Sequence, residues 1–251
     1  MTLGSLPAED RAVAIAKRLS ETGRVTISAL AAEFGVSEMT IRRDLDELEA
    51  LGAARRVRGG AVPVGPVPFS ERHRRQARAK ARIADKLLSL VPDTGTIALD
   101  ASSTVNRLAT ALAGARDLTV VTNGPDTFNV LQGKPGITAV LTGGALEPRT
   151  GSLVGPVACR VAEDFLFDLF ICSAAALDLE LGSSEASLEE AEVKRSIGAS
   201  ATKIVLAADR SKLGTRAQAR VFTLDQVSLL VTDLDRNDTR LAPYAREVAT
   251  R

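Results

Sequence analysis

The sequence predicts an α/β protein with two domains, a small N-terminal domain of short helices and a larger domain built on a mostly parallel sheet. Two observations support this prediction. Within residues 8 to 62, apolar residues recur at helical spacing in three short segments separated by glycines. Beyond residue 94, short apolar runs alternate with helical stretches, which is typical of strands covered by helices on both faces.

Composition narrows the classes of function. Aromatic residues make up 3% of the 251 residues, which argues against extensive base-stacking surfaces and aromatic carbohydrate platforms. The net charge of +1 does not by itself indicate a partner. Cys159 and Cys172 lack CxxC spacing and His73 is the single histidine, so we expect no metal site and no cofactor. No apolar stretch approaches the ~20 residues of a membrane span. We therefore expect a cytoplasmic protein with no membrane partner and with both thiols reduced and buried.

Two short helices are predicted at the start of the chain. The first runs from residue 8 to Gly23, and a brief strand over residues 24 to 27 follows it. Ser28 is placed to cap the second helix, and Gly35 ends that helix.

The third helix and the segment after it complete this domain. Ser37 caps the helix, Gly52 closes it, and Ile41, Leu45 and Leu48 form its buried stripe. Two β-prone runs, residues 54–57 and 61–62, then flank Gly59-Gly60, which predicts a hairpin with a two-residue turn. Helix, strand, helix, turn, helix and hairpin is the order of a winged helix-turn-helix.

The polar face of the third helix is the predicted DNA-reading surface, because a recognition helix places a polar face in the major groove. The acidic residues from Asp44 onward would be repelled by phosphate, so we expect only the first two turns to face the groove. Arginines around the hairpin would grip the DNA backbone or minor groove. An ordinary solvated amphipathic helix is the alternative. The predicted DNA-binding residues are Ser37, Thr40, Arg42, Arg43, Arg55, Arg56, Arg58 and Gly59.

A proline-rich segment divides the chain. Residues 63–68 contain three prolines and one glycine, which excludes a helix or a central strand. We therefore predict a DNA-binding domain over 8–62, a linker over 63–72 and an α/β domain over 73–251. A basic helix is expected from Ser70 to Leu90.

Polar loops follow the predicted strands of the larger domain, where ligands bind in open α/β sheets. The segment "LDASSTVNRLA" places hydroxyls at a helix start, which suits a phosphate, although simple N-capping explains it equally well. The "VVTNGPDT" and "LTGGALEP" loops can equally be plain turns. Glu190 and Lys194 stand at i, i+4, and from spacing alone we favour a surface ion pair worth ~0.3–0.5 kcal/mol.

The N-terminal segment resembles the DNA-binding domain of the DeoR family of bacterial repressors, through "FGVSEMTIRRDLDELE" and "RRVRGGAV". Residues 75 to 235 resemble the family's sensor domain, which is similar in fold to ribose-5-phosphate isomerase. The resemblance implies a sugar-phosphate effector, with lysines on the phosphate and Asp100 and Asn123 on sugar hydroxyls. With Asp178 and Glu190 added, the predicted effector-binding residues are Asp100, Ser102, Ser103, Thr104, Thr122, Asn123, Gly143, Gly144, Asp178, Glu190, Lys194, Asp209 and Lys212.

Two stretches depart from the family pattern. Where the family usually has "GASGID" and "GLTT", this chain has "SAAALD" over 173–178, with three successive alanines, and then "GSSE" ending at Glu185. Methyl groups and an added anion imply a narrower pocket or an effector other than a common hexose or pentose phosphate.

The resemblance implies a transcriptional repressor of a carbohydrate-metabolism operon, not an enzyme. We expect a homo-oligomer that binds double-stranded operator DNA and a small phosphorylated sugar or polyol. One alternative is an isomerase with Glu190 or Asp178 as base and Lys194 as electrostatic partner, although the isomerases' lysine and glycine-rich run are missing. Another is a nucleoid-type DNA binder without a ligand, which would lack the ~10³-fold operator preference of a repressor.

Overall fold

The structure is a computed structural model that describes residues 6–22, 24–51, 53–63 and 69–251. The chain divides into two compact units, residues 1–72 and 73–251. The helix ends predicted at Gly23 and Gly52 lie outside the described residues, as does half of the predicted linker, residues 64–68.

The first unit combines three helices with a small antiparallel sheet. Its elements are α1 (Ala8–Thr22), β1 (Val25–Thr26), α2 (Ile27–Phe34), α3 (Glu38–Ala50), β2 (Ala54–Val57) and β3 (Gly60–Pro63), and the strand order is β1-β3-β2. Ile41, Leu45 and Leu48 are buried as predicted and join Ile15 and Leu19 in one apolar core. This order of elements confirms the winged helix-turn-helix.

Capping residues set the turn between α2 and α3. Gly35 ends α2 in the left-handed conformation with φ 63°, and the Ser37 hydroxyl accepts the N–H of Thr40 at 3.1 Å, both as predicted. The predicted cap of α2 was wrong. Thr26 caps it, accepting from the N–H of Ala29 at 3.3 Å, because β1 holds Thr26 extended beside Gly60 and the helix begins directly after it.

The hairpin turn lies one residue earlier than predicted. Val57 pairs with Gly60, so the turn residues are Arg58 and Gly59, and Gly59 takes the positive φ of 80°. Gly60 belongs to β3 and is needed there for a different reason. A Cβ at Gly60 would lie 1.9 Å from the carbonyl oxygen of Val25, so a side chain would prevent β1 from pairing.

The basic helix predicted from Ser70 to Leu90 is two helices, α4 (Phe69–Arg74) and α5 (Ala77–Leu88). Gln76 separates them with φ 52°, and it is the one non-glycine residue with positive φ in the described ranges. A left-handed residue cannot continue a right-handed helix, so the helix stops there and restarts at Ala77.

The second unit is organised around a six-stranded parallel sheet, as the fold prediction required. Its strands are β4 (Thr94–Leu99), β5 (Asp117–Thr122), β6 (Ile137–Leu141), β9 (Leu169–Ser173), β12 (Ile204–Ala207) and β14 (Leu229–Val231). The strand order is β14-β12-β9-β4-β5-β6. The chain therefore reverses its direction of travel across the sheet between β4 and β9.

Helices cover both faces of this sheet, and alternate strand residues point to opposite sides. One apolar cluster joins Ile97, Leu99 and Ile171 to α5, α6 (Ser103–Ala111) and α7 (Pro125–Leu131). The other joins Ala98, Phe170 and other residues to α8 (Pro156–Glu163) and α9 (Leu188–Ala199). Burial on both faces explains why these strands are continuous apolar runs.

Short strands outside the main sheet complete the unit. β10 (Ala176–Asp178), β11 (Gly182–Glu185) and β13 (Ala219–Arg220) form an antiparallel sheet, and β7 (Ala145–Leu146) pairs with β8 (Leu153–Val154). Cys172 is buried, whereas Cys159 is half-buried, which corrects the prediction that both are buried; both are free thiols. Throughout the described ranges, no helix has the length and apolar character needed to span a bilayer.

Candidate DNA-binding surface and effector site

The start of α3 presents the predicted polar face. Arg42 and Arg43 are exposed, and Thr40 is half-buried, with its hydroxyl 2.9 Å from the hydroxyl of Ser37. Arg42 is 3.6 Å from Glu38 in an exposed i, i+4 pair, which contributes little. The arginine guanidinium groups on the first two turns are thus accessible to an anionic partner.

Three acidic residues of α3 contact groups within the domain. Asp44 is buried and accepts two hydrogen bonds from Arg11, at 2.5 and 2.8 Å. Asp46 pairs with Arg56, and the Glu49 carboxylate accepts the backbone N–H of Arg56 at 2.7 Å. These contacts partly neutralise the negative charge on α3 from Asp44 onward.

The three wing arginines have different surroundings. Arg55 on β2 and Arg58 at the turn are exposed, next to the Gly59 turn residue. Arg56 pairs with Asp46 and donates to the carbonyl of Arg42 at 3.2 Å, and its predicted contact with DNA stays a prediction. The Arg56 guanidinium thus connects the hairpin to α3.

Several of the predicted effector-binding residues lie where the strand order reverses, the position at which open α/β sheets bind ligands. Asp100 follows β4 directly and is fully buried. Its carboxylate accepts the backbone N–H groups of Ser102 at 3.0 Å and of Ser173, at the end of β9, at 2.9 Å. Asp100 therefore ties together the two loops that border the reversal point.

Lys194 of α9 reaches the same point. Its ammonium lies 2.8 Å from Asp100, 2.5 Å from Glu185 at the end of β11 and 2.6 Å from the carbonyl of Ser173. The predicted surface pair of Glu190 and Lys194 was wrong, because α9 packs against the sheet and buries both side chains. Glu190 instead accepts from the Ser152 hydroxyl at 2.8 Å.

The charges of this cluster stabilise each other. Burial disfavours the charged form of Lys194, but the carboxylates of Asp100 and Glu185 outweigh burial and raise its pKa. Burial likewise opposes ionisation of Asp100, yet the Lys194 ammonium and the hydrogen bonds bring its pKa below the ordinary value. Both groups are charged at neutral pH.

The N-terminus of α6 forms a second part of the site. Ser102 caps the helix by accepting the N–H of Val105 at 3.2 Å, and Ser103 and Thr104 occupy its first two positions. Across the described residues, no acceptor reaches the backbone N–H groups of Ser103 and Thr104. Lys80 of α5 donates to the Ser103 hydroxyl at 2.9 Å. Open amides beside a lysine form a favourable environment for an anion.

The loops after β5 and β6 hold each other in place. Thr122 accepts the N–H of Gly124 at 3.1 Å, and the Asn123 amide donates to the carbonyl of Leu153 at 3.0 Å. Gly143 and Gly144 both have positive φ. A Cβ at Gly144 would lie 2.6 Å from the Val154 carbonyl oxygen, so this glycine serves packing of the β7–β8 hairpin.

The remaining predicted residues lie at the ends of β10 and β12. Asp209 accepts the N–H of Ser211 at 3.0 Å, and Lys212 donates to the carbonyl of Ala174. Asp178 sits at the turn end of the β10–β11 hairpin, where Arg216 is 2.7 Å away and lowers the pKa of Asp178 to about 2. Asp178 has no contact with the Asp100–Lys194 cluster.

Lys80, Ser173 and Glu185 contact predicted site residues but were absent from the predicted set. Glu185 was noted only as an added anion. Its partner Lys194 lies nine positions away along the chain, and no helical or strand spacing reveals that contact. Lys80 was counted only as part of a basic helix. In the parts of the chain that the structure describes, no group of three or more His, Cys, Asp or Glu side chains is arranged to hold a metal.

Comparison with known proteins places the chain in a family. The "DeoR-like helix-turn-helix domain" matches residues 11–65 and the "DeoR C terminal sensor domain" matches residues 75–234. The HTH-type transcriptional regulator GolR of Listeria innocua is 34% identical over 219 residues, covering 86% of each chain. The glycerol-3-phosphate regulon repressor of Escherichia coli is 31% identical over 222 residues, covering 87% of this chain and 88% of the relative.

Solved structures similar to the chain include ribose 5-phosphate isomerase A from Neisseria gonorrhoeae, 20% identical over 55% of this chain and 53% of that one, with a TM-score of 0.38. The two family models together match nearly all of residues 11–234, in the order helix-turn-helix then sensor domain. The chain belongs to the DeoR family of DNA-binding transcriptional regulators.

Proposed function

We propose that this regulator represses a carbohydrate-metabolism operon from the cytoplasm and is controlled by a small phosphorylated sugar or polyol. The observation that carries the proposal is the polar site at the reversal point of the parallel sheet, where Asp100, Lys194 and the open amides of α6 converge. A repressor needs a switch, and a ligand that favours one conformation supplies it.

The phosphate of the effector is assigned to the N-terminus of α6. The backbone N–H groups of Ser103 and Thr104 would donate to phosphate oxygens, and Lys80 adds positive charge beside them. The relative from Escherichia coli is named for the glycerol-3-phosphate regulon. Glycerol 3-phosphate is therefore the first compound to test on this protein.

The DNA-binding half of the proposal concerns paired recognition helices. The protein is expected to form a homo-oligomer through its sensor domain, so that two copies of α3 meet repeated half-sites on operator DNA. Effector binding would reposition α5, whose Lys80 already contacts the effector loop at Ser103. The effector then lowers operator affinity by favouring a state with mismatched half-site spacing.

A thermal-shift panel tests the effector class. Glycerol 3-phosphate and ribose 5-phosphate are compared with glycerol and ribose, and a true effector at ~100 times its dissociation constant should add ~2.7 kcal/mol to stability. Thr104→Val should weaken the phosphorylated compound selectively, because the Thr104 hydroxyl lies beside the assigned phosphate position. Thr110→Val, at the other end of α6, is the matched control.

Footprinting on DNA upstream of the neighbouring genes tests the regulator itself. We expect a defined protected region and at least ~10³-fold preference over random DNA. Uniform protection without preference would favour a nucleoid-type binder. A saturating effector that left operator affinity unchanged would refute the proposed coupling.

We also propose that the site binds without catalysing isomerisation. Both candidate bases have other partners, since Arg216 holds Asp178 and the Ser152 hydroxyl bonds Glu190. Conversion of ribose 5-phosphate to ribulose 5-phosphate that disappears in Glu190→Gln would show an enzyme instead.

A further inference from the structure

We propose that the cluster of Asp100, Glu185 and Lys194 binds hydroxyl groups of the effector and keeps its phosphate away from Lys194. This inference rests on the proposed function and deepens it, because it assigns an orientation to the ligand. It replaces the role that family resemblance gave Lys194, which was to pair with phosphate.

The hydrogen-bond donors of the Lys194 ammonium all face acceptors within the protein. An ammonium has three N–H bonds and no acceptor. The three close acceptors are Asp100, Glu185 and the carbonyl of Ser173, at 2.8, 2.5 and 2.6 Å. All of its donor capacity is used inside the protein, so a phosphate could bind Lys194 only by displacing a buried carboxylate.

The cluster of Asp100, Glu185 and Lys194 carries a net negative charge. Asp100 and Glu185 bring two negative charges against the single positive charge of Lys194, and their side chains are 1%, 8% and 9% exposed. Glu190 lies one turn earlier on α9 and acts electrostatically on Lys194 as well. With little water to screen these charges, the cluster repels a dianionic phosphate.

The Glu185 carboxylate has one oxygen without a hydrogen-bond donor among the described residues. One oxygen of Glu185 accepts from Lys194, and no donor among the described residues reaches the other oxygen. A carboxylate oxygen without a partner favours a hydrogen-bond donor, which a sugar or polyol hydroxyl provides and a phosphate oxygen does not. The phosphate end then lies at α6, where the open amides are, and the hydroxyl end lies at Glu185.

Inorganic phosphate is the probe, titrated calorimetrically into the full-length protein. Glu185→Gln keeps the side-chain shape, removes one negative charge and loosens the hold on Lys194. We expect it to bind phosphate ~tenfold more tightly than the wild type. Glu192→Gln, an exposed position on the same helix, removes the same charge outside the cluster and should leave phosphate affinity unchanged.

The double variant Glu185→Gln/Lys194→Met identifies the source of any gain, because it should lose that gain. Glu185→Thr provides a second measurement if circular dichroism shows that Glu185→Gln does not fold. The inference is overturned if neither single variant binds phosphate more tightly than Glu192→Gln, or if the gain persists in the double variant.

Operator titrations separate this inference from the proposed function. If phosphate affinity does not rise while a phosphorylated sugar still releases wild-type protein from its operator, the ligand orientation alone is wrong. If no phosphorylated compound alters operator binding by the wild type, the proposed function fails whatever the variants do.

Discussion

Arg11 and Asp44 form a buried ion pair that fixes the DNA-reading helix in place. Two hydrogen bonds join the guanidinium to the carboxylate, and the side chains are 7% and 4% exposed. Arg11 also donates to the carbonyl of Leu6 at 2.8 Å. Because Asp44 lies on α3 and Arg11 on α1, the pair sets how α3 is presented.

Replacing Asp44 with Asn should be strongly destabilising, because it leaves the Arg11 guanidinium buried with its charge uncompensated. We expect a loss of about 3–5 kcal/mol in the free energy of unfolding, measured by urea denaturation. The double variant Arg11→Met/Asp44→Leu is the control and should be closer to wild type, since no charge is left buried. A loss below about 1 kcal/mol in Asp44→Asn would contradict the importance of the pair.

Thr127 illustrates the opposite situation, a buried polar group without a partner. Its hydroxyl is fully buried and has no hydrogen bond to any described residue. Valine has nearly the same shape and needs no partner, so Thr127→Val should raise the free energy of unfolding by about 1 kcal/mol.

Thr110→Val is the matched control for Thr127→Val. The Thr110 hydroxyl donates to the carbonyl of Asn106 at 2.9 Å, so its removal should give no gain. Thermal unfolding monitored by circular dichroism compares the two variants. Destabilisation by Thr127→Val would instead point to a hydrogen-bond partner for its hydroxyl in solution.

At the level of elements, the hairpin and α3 act as one piece because Arg56 clamps them together. Arg55 and Arg58 remain exposed on the hairpin and are the side chains available to DNA. Arg55→Ala and Arg58→Ala should each weaken operator binding and reduce the slope of log affinity against log salt by about 1.

Arg56→Ala should behave differently from its neighbours, because its charge is already paired with Asp46. We expect a lower unfolding temperature and a salt slope close to that of the wild type, measured by fluorescence anisotropy over a range of KCl concentrations. Arg116→Ala, an exposed position in the second unit, is the control. Equal salt slopes for all three wing variants would show that Arg56 also contacts phosphate.

Elements with local end signals were predictable from sequence, and those set by distant contacts were not. Gly35 and Ser37 act through their own backbone neighbours, so their roles were readable. Gly60 depends on β1, more than thirty residues earlier, and the break at Gln76 lacks the glycine or proline that usually marks one. The burial of Glu190 and Lys194 depends on what α9 packs against. The spacing of residues within a helix does not reveal its packing partner.

The sequence predicted the loops of the candidate site one by one. It did not predict how those loops are arranged relative to each other. Family resemblance supplied Asp100 and Lys194 as site positions. Their contact requires β9 to lie beside β4, and that adjacency is a property of strand order. Whether any of the predicted positions contacts an effector stays a prediction.

Across the whole molecule, the two units have separate apolar cores. Ile15, Leu45 and their neighbours form the core of the first, while two clusters on either face of the parallel sheet stabilise the second. We expect two transitions in urea denaturation, since each core can be lost by itself. Asp44→Asn should move only one of them, and Thr127→Val only the other.

Near-ultraviolet circular dichroism helps to assign the two transitions, because the single Tyr, Tyr244, is buried in the second unit. The Tyr244 signal should follow the transition that Thr127→Val moves. A single transition that both variants shift together would show that the two cores unfold cooperatively.

Asp100 joins the loop after β4 to the end of β9 through Ser102 and Ser173, and it pairs with Lys194 in the cluster proposed to bind the effector. A substitution of Asp100 should therefore disturb the fold as well as the proposed effector contact. Mutants that ignore the inducer yet still shut the operon off require an intact fold, so substitutions of Asp100 should be rare among them. They should appear among constitutive mutants instead, together with unstable proteins. Substitutions at Thr104, whose hydroxyl bonds nothing else among the described residues, should supply the non-inducible class.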